Sequence, residues 1–315
     1  MIKHRMPIVL ALMSSLFIPA VVFPNQKKEI PTGTPILWRR PANISSLDLY
    51  SGPGGAKPDL RRVTFIEEQK GGYSKKYRVR DSSGREWVAK IGNEAQAETA
   101  AVRLIWAMGY MTEINYLEPT TQISGKGTFQ NVRFEARPQN VKRVDEWKWS
   151  SNPFVGTREL RGLKVMMALI NNWDIKDSNN EIFLVRGNRG NELRYVISDL
   201  GATFGKSGSI PIVWQFTRSR NKPKHYADAE FVDVVKDNHV YFHYGSKRHS
   251  LFNDIMVQDA RWIGGLLSQL TTNQLRDAFR AANYSSREIN LLVNEVRQRT
   301  QELLRVDDER LGRTR

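Results

Sequence analysis

The sequence predicts an α+β fold in two lobes: a small antiparallel sheet with one helix, then a mainly helical lobe. Two observations support this prediction. Between residues 62 and 136, short stretches alternate apolar and polar side chains around one helical stretch, as strands with one buried face do. From residue 158 onward, apolar residues mostly recur every three or four positions, which is the spacing of a helix with one buried face.

The first lobe should be built on a hairpin and its neighbours. The predicted strands lie at 63–66, 76–80, 85–90, 117–121 and 131–136. The turn-forming run Asp81-Ser82-Ser83-Gly84 joins the second and third of them. Gly71 and Gly72 precede the hairpin, where backbone N–H groups without side chains could approach a phosphate; a plain glycine turn is the alternative.

One helix follows this hairpin. Asn93 is its predicted N-cap, with Gln96 completing a capping box, and Gly109 ends it. The apolar positions on one face are Ala97, Ala101, Leu104, Ile105 and Met108. Glu98 can point inward from the first turns of this face, whereas Glu94 is expected to be a solvated acid that complements the helix dipole.

The second lobe begins with a helix at 158–170 and continues into a second hairpin, with strands at 182–185 and 193–197. Residues 202–255 are rich in loops and basic side chains, and the C-terminal part returns to helix. Thr272 and Ser285 are the predicted caps of the last two helices.

A polar stretch links the helix at 158–170 to this hairpin. It places a carboxylate at Asp174, an ammonium at Lys176 and a carboxamide at Asn179, and Asp199 follows the hairpin. Phosphoryl transfer needs such groups, since a carboxylate can take a proton, a cation can spread charge, and an Asp/Asn pair can hold Mg²⁺ on phosphates. Because the hairpin pairs its strands, Asn179 and Asp199 should lie at adjoining strand ends and face one metal site.

The spacing D-x-K-x-x-N resembles the catalytic loop of protein kinases, and Asp199-Leu200-Gly201 stands where their D-F-G would. Over about residues 60–305, the chain is similar to the atypical branch of the protein-kinase-like superfamily, which includes HipA-type, phosphoinositide and secretory-pathway kinases. The resemblance implies a two-lobed kinase fold, ATP as nucleotide, and Mg²⁺ or Mn²⁺ as the metal.

The resemblance also implies roles. Asp174 would be the general base and Lys176 would steady the transferred phosphoryl group. Asn179 and Asp199 would ligate the metal.

On the nucleotide side, the resemblance assigns Lys90, at the end of the hairpin, to the phosphates. Glu98 is its favoured partner and Glu94 the second candidate. Gly71 and Gly72 would lie over the phosphates.

Four departures from the kinase pattern accompany these matches, and one is the step from Lys90 to Glu98, which is shorter than in ordinary kinases. Asn172-Trp173 replaces the usual His-Arg before the catalytic Asp, so control by a phosphorylated activation loop is not expected. Leu200 replaces the Phe of D-F-G. No A-P-E follows, which puts a peptide-substrate platform in doubt.

The composition limits which partners the protein is expected to bind and which kinds of catalysis and metal binding it can use. A net charge of +15 favours acidic partners, and the absence of cysteine excludes disulfides, thiolate catalysis and cysteine-ligated metals. The N-terminus carries Lys3 and Arg5 before an apolar run at 8–23, which predicts a signal peptide and an exported protein, periplasmic or secreted. Membrane contact is expected only through this segment.

The predicted organisation is a signal peptide at 1–24, a Pro/Gly-rich linker or arm outside the core at 25–60, lobes at 61–138 and 139–305, and a basic tail at 306–315. The function favoured by the sequence is an exported phosphotransferase acting on an acidic or hydroxyl-bearing acceptor. The alternatives are a catalytically silent kinase-like binding module and a basic polyanion-binding protein. The export signal argues against nucleic acid as the partner.

Overall fold

A computed structural model describes residues 30–71, 74–188, 190–208 and 217–306. The predicted signal peptide, Gly72 and residues 307–315 of the predicted tail lie outside the described residues. Within the part of the chain that is described, no helix is long and apolar enough to cross a bilayer.

The segment before the first lobe is an arm packed onto the fold, which corrects the expectation that it lies outside the core. Its strand β1, Thr34–Ile36, pairs in parallel with residues 192–194 of the second lobe. Leu37, Ile44 and Leu49 are buried in the main core. Ile44 and Leu49 are scattered irregularly among Pro, Gly and Ser, so no helix or strand period revealed their burial.

The first lobe is a closed five-stranded barrel with the strand order β2-β3-β4-β6-β5. The strands are β2 Arg62–Gln69, β3 Lys75–Arg80, β4 Glu86–Ile91, β5 Asn115–Ile123 and β6 Gly127–Ala136. Neighbours are antiparallel except β2 and β5, which close the barrel through parallel pairs such as Val63 with Ile123. The prediction of a purely antiparallel sheet missed this closure, because alternation along a strand does not report which distant strand it pairs with.

The helix α1, Ala95–Ala107, packs on β5 and β6. It begins with Glu94 in the N-cap position and without a side-chain cap hydrogen bond, so the predicted Asn93 capping box is wrong. Gln96 instead donates its amide to the Asn283 carbonyl at 2.9 Å. The start of α1 is therefore fixed by contacts to other elements.

The second lobe combines a small sheet with helices. Its strands are β7 Val141–Glu146, β8 Asn180–Gly187 and β9 Gly190–Ile197, and the sheet order is β1-β9-β8-β7. The hairpin of β8 and β9 was predicted, whereas β7 comes from a polar, Trp-rich stretch to which the sequence assigned no role. A separate hairpin pairs β10 Val232–Lys236 with β11 His239–Phe242.

The described helices of this lobe are α2 Arg158–Leu169, α3 Pro223–Ala227, α4 Val257–Leu267, α5 Thr272–Arg280 and α6 Ser286–Leu304. Ser285 forms the predicted capping box of α6 with Glu288. The cap of α5 is Thr271, one residue before the predicted position. With the barrel and α1 on one side and these helices on the other, the predicted two-lobed α+β fold is confirmed.

The arm yields a stability prediction. Leu49 is fully buried, so Leu49→Ala should lower the free energy of unfolding by about 2–5 kcal/mol through lost burial and a residual cavity. Urea unfolding followed by tryptophan fluorescence measures the change. Val155→Ala, at a side chain with 55% exposure, is the control and should leave stability nearly unchanged. Equal stability of the Leu49 variant and the wild type would show that the arm does not belong to the fold.

Candidate nucleotide and metal site

A cleft of about 270 Å³ lies between the barrel and the sheet of the second lobe. It is lined by residues from β2, β3, β4 and β6 on one side and from β7, β8 and the chain flanking the second hairpin on the other. Val88 is the apolar residue among its described lining, and the others are polar or charged. The cleft is therefore suited to a polar or charged ligand.

Lys90 lies at the inner end of this cleft, on β4. Its Nζ is 2.9 Å from Glu98 Oε2, 3.1 Å from Glu94 Oε2 and 3.4 Å from Asp199 Oδ1. Glu94 and Glu98 are four residues apart at the start of α1, so both face β4. The structure thus brings Lys90 and Glu98 together as the sequence predicted. Glu94 is also buried, with 5% exposure, and the expectation that it is solvated is wrong.

Lys90, Glu94 and Asp199 each favour the ionised form of their oppositely charged neighbours. Burial lowers the pKa of Lys90, but Glu98 and Asp199 outweigh it and leave the pKa raised. Burial raises the pKa of Glu94, but Lys90 and the Ser74 hydroxyl outweigh it and leave the pKa lowered. The pKa of Asp199 is lowered in the same way, against its burial, by Lys90 and the Gly201 N–H. Lys90, Glu94 and Asp199 are consequently ionised at neutral pH.

Buried hydrogen bonds hold the start of the loop that carries Asp174. Asn171 follows α2 with a φ of 51°, a left-handed conformation that Asn tolerates. Its side chain donates to the Gly205 carbonyl and accepts from the buried Arg299, which also donates to the Leu169 carbonyl. The chain leaving α2 is therefore held against α6.

Asp174 and Lys176 lie on the solvent-exposed side of the same loop. Lys176 Nζ is 2.9 Å from Asp174 Oδ1, and the two side chains are 63% and 24% exposed. Asn179 Nδ2 donates to the Asp174 carbonyl at 2.6 Å. The predicted base and its neighbouring cation are thus in contact with each other and accessible.

Asn179 and Asp199 lie side by side, as the hairpin geometry predicted. The N–H groups of Ser198 and Asp199 donate to the Asn179 carbonyl at 2.9 and 3.4 Å. The side chain of Asp199 is 41% exposed. A carboxylate and a carboxamide oxygen suit Mg²⁺, which usually takes one or two protein ligands together with substrate phosphates and water.

The donor set therefore fits a divalent metal that is shared with a nucleotide. Among the described residues, no group of three or more His, Cys, Asp or Glu side chains is arranged to hold a metal by itself.

Of the two predicted phosphate-loop glycines, only Gly71 is described. It is exposed, its φ is +105°, and a Cβ there would meet nothing within 4 Å. The left-handed conformation accounts for glycine at this position. The contact of Gly71 and Gly72 with phosphates stays a prediction.

Sequence reasoning missed a buried ionic network behind Lys90. Arg133 Nη2 is 2.5 Å from Glu98 and 2.8 Å from Glu113, and Arg143 Nη2 is 2.8 Å from Glu113 and 2.7 Å from Glu135. Arg143 lies on β7 of the second lobe, so the network joins both lobes. On β6, Arg133 and Glu135 alternate with Val132 and Phe134, a pattern that ordinarily indicates a solvated face.

Two carboxyl groups of this network have opposite pKa shifts. Burial and the neighbouring Glu135 raise the pKa of Glu113 to about 8. For Glu135, burial acts to raise the pKa, but Arg137, Arg133 and Arg143 outweigh it and lower the pKa to about 2. Glu113 accepts from the guanidinium groups of Arg133 and Arg143 and from the Ser198 hydroxyl.

A pH dependence of stability follows. The pKa of Glu113 is raised above the value of about 4.3 for an unfolded glutamate, so the folded state binds more protons between these values and stability falls as pH rises through them. We expect wild type to lose up to about 1.4 kcal/mol per pH unit more than Glu113→Gln, which keeps a neutral side chain. Urea unfolding between about pH 5 and 8 measures both slopes. Parallel slopes would show that Glu113 is ionised throughout.

Comparisons with known proteins concern the fold. No protein-family model matches the chain, and no curated protein matches it in sequence. Solved structures that it resembles include the Helicobacter pylori proinflammatory kinase CtkA, with 11% identity, 81% of this chain and 98% of that chain covered, and a TM-score of 0.49.

Two further solved structures are kinases in complex with nucleotide and metal. The Rio2 kinase-ADP/Mg²⁺-phosphoaspartate complex from Chaetomium thermophilum shows 12% identity, 78% and 73% coverage and a TM-score of 0.32. The Golgi casein kinase with Mn/ADP bound shows 10% identity, 84% and 76% coverage and a TM-score of 0.37. At these identities and scores, we take nothing about activity, ligands or partners from them.

The chain's own elements define its architecture. A barrel with one helix carries the Lys90–Glu98 pair, and a helical lobe carries the Asp174 loop, a hairpin and Asp199, in the order that the motifs require. On this element order and this ion pair, the chain has a two-lobed protein-kinase-like fold.

Proposed function

We propose that the protein is an exported kinase-like phosphotransferase that transfers phosphate from ATP, with Mg²⁺ or Mn²⁺, to an acidic or hydroxyl-bearing acceptor. The observation that carries the proposal is the position of Lys90 Nζ, 2.9 Å from Glu98 and 3.4 Å from Asp199. A buried ammonium beside a partly exposed carboxylate offers phosphates a cation and a metal ligand at the same point of the cleft.

The residues around this point would divide the work. Lys90 would hold the nucleotide phosphates, and Glu98 keeps its ammonium oriented toward the cleft. Asn179 and Asp199 would hold the divalent cation, which when bound neutralises charge on the phosphates. Asn179 donates to the Asp174 carbonyl, so this hydrogen bond links the candidate metal ligand to the loop of the base candidate.

Asp174 would accept the proton of the acceptor hydroxyl. Its carboxylate is accessible, and Lys176 keeps it next to a cation that is itself 63% exposed. That exposure leaves Lys176 free to turn toward the transferred phosphoryl group. A general base of this kind contributes about 10²–10⁴ to the rate.

One observation favours the catalytically silent module as the second candidate. The described lining of the cleft offers Val88 as its apolar residue, whereas sites for nucleobases and other ligands are usually mostly apolar. The polyanion-binding alternative gains no comparable support, because Lys90, Arg133 and Arg143 are all paired with carboxylates. Metal-dependent nucleotide binding with turnover separates the enzyme from the module.

The two carboxylates should respond differently to substitution. Asp199→Ala should abolish metal-dependent ATP binding and turnover together, because Asp199 is the carboxylate next to Lys90 and Asn179. Asp174→Asn should leave ATP affinity nearly intact and lower turnover by about 10²–10⁴. Calorimetry with Mg-ATP, and mass spectrometry of the protein after incubation with ATP and metal, measure the two effects.

Asp59→Asn is a matched control, since Asp59 is exposed, pairs with the exposed Arg61 and is not among the residues that line the cleft. It should change neither quantity. Equal loss of nucleotide binding in both site variants would reverse the assigned roles. A wild-type protein that binds no nucleotide with metal would contradict the enzyme, and one that binds without turnover would support the module.

Export is the part of the proposal that rests on the N-terminal sequence. Lys3, Arg5 and the apolar run at 8–23 motivate it. A C-terminally tagged protein should be recovered outside the cytosol, with an N-terminus near residue 21 because Ala20 offers a small residue for cleavage. Recovery of the full-length chain in the cytosol would contradict export without affecting the phosphotransferase proposal.

A further inference from the structure

Glu94 receives contacts from more elements than its role as a second partner of Lys90 requires. Its Oε2 is 3.1 Å from Lys90 Nζ and accepts from the Ser74 hydroxyl at 2.8 Å. Its Oε1 accepts from Arg220. A Cβ on Gly201 would lie 2.7 Å from Glu94 Cβ. The strand lysine, the end of the glycine loop, α1 and the chain after Asp199 thus meet at one carboxylate.

Arg220 extends this contact to the loop of the base candidate. Its guanidinium lies 4.7 Å from the ring centroid of Trp173, the residue before Asp174. Trp173 Nε1 donates to the Ser219 carbonyl at 3.0 Å, so the indole is held by the same short segment. Arg220 consequently contacts α1 through Glu94 and the Asp174 loop through Trp173.

The contact between Glu94 and Arg220 changes how the buried charges around Lys90 are balanced. Glu94 is 5% exposed, and Lys90 is shared among Glu94, Glu98 and Asp199. Arg220 gives Glu94 a second cation. Without Arg220, Glu94 would compete more strongly for Lys90, and the segment around Trp173 would lose one of its contacts to α1, while the hydrogen bond from Asn221 to Gln96 would remain. Removing one partner of a buried pair leaves the remaining charge uncompensated.

We propose that the Glu94–Arg220 ion pair is a latch that sets Lys90 and the Asp174 loop in their working positions relative to each other. Glu94 and Arg220 are then positioning residues for the phosphoryl transfer proposed above, on which this inference rests. Lys90 keeps Glu98 and Asp199 when the latch is broken, so nucleotide binding is retained. The alignment of Asp174 with the phosphoryl group is what the latch controls.

A double-mutant cycle tests this coupling. Glu94→Gln and Arg220→Gln should each lower kcat for ATP-dependent phosphorylation about tenfold, with KM for ATP changed less than about threefold. The double variant should lose clearly less than the hundredfold that two independent effects would give, since both substitutions break the Glu94–Arg220 pair. Arg220→Lys should recover part of kcat. Arg80→Gln is the control, because Arg80 pairs with Glu86 on the barrel exterior, and it should match the wild type.

A double variant that loses about a hundredfold would show that the two residues act independently and would overturn the latch. Loss of stability with unchanged kcat would also overturn it, leaving a merely structural pair.

Amide hydrogen exchange of the nucleotide-free protein tests the latch independently of the proposed function. In Arg220→Gln, exchange should rise both in the first turn of α1 and in residues 171–176, and in neither for Arg80→Gln. A rise confined to residues near position 220 would overturn the latch. If the wild type shows no turnover, the proposed function fails, and with it the catalytic role of the pair, while the exchange result still decides whether the latch exists.

Discussion

The arrangement of the cleft depends on keeping the ammonium of Lys90 ionised inside the protein. Lys90 is 5% exposed, and withdrawing such an ion from water costs several kcal/mol unless opposite charges replace the water. Glu94 and Glu98 from α1 and Asp199 from the second lobe provide those charges. The positions of α1 and of the chain after β9 are thereby tied to β4 by electrostatics as well as by packing.

The buried side chains behind Lys90 also need oppositely charged partners. Glu98 is shared with Arg133, Arg133 with Glu113, and Glu113 with Arg143, so acidic and basic side chains alternate from Lys90 on the barrel to Arg143 on β7. Each ion compensates its neighbours, and loss of one would leave others buried and unpaired. A ligand in this cleft therefore meets a charged wall and has to present polar groups of its own. Phosphates beside Lys90 satisfy this demand more readily than an apolar ring does.

The local sequence pattern predicted many of the strands and helices. The contacts that it missed depend on pairing between residues that are distant in the chain. Alternation and helical spacing gave the strands and helices in their order, and the hairpin rule placed Asn179 beside Asp199 because both flank one pair of strands. The burial of Glu94 depends on Arg220, which is 126 residues away, and that of Arg133 on Glu98 and Glu113, which are 35 and 20 residues away. A charged residue looks solvated in sequence until its distant partner is known.

Two departures from the kinase pattern acquire a physical explanation from these contacts. Leu200, in the place of the D-F-G phenylalanine, is fully buried in the main core, so it supplies an apolar anchor of smaller size. Trp173, in the place of the arginine before the catalytic Asp, binds Ser219 through its indole and stacks on Arg220. An arginine there would attract an added phosphate, whereas an indole cannot. Among the described residues after Asp199, Ser219 and Arg220 instead contact Trp173, and Arg220 also contacts Glu94.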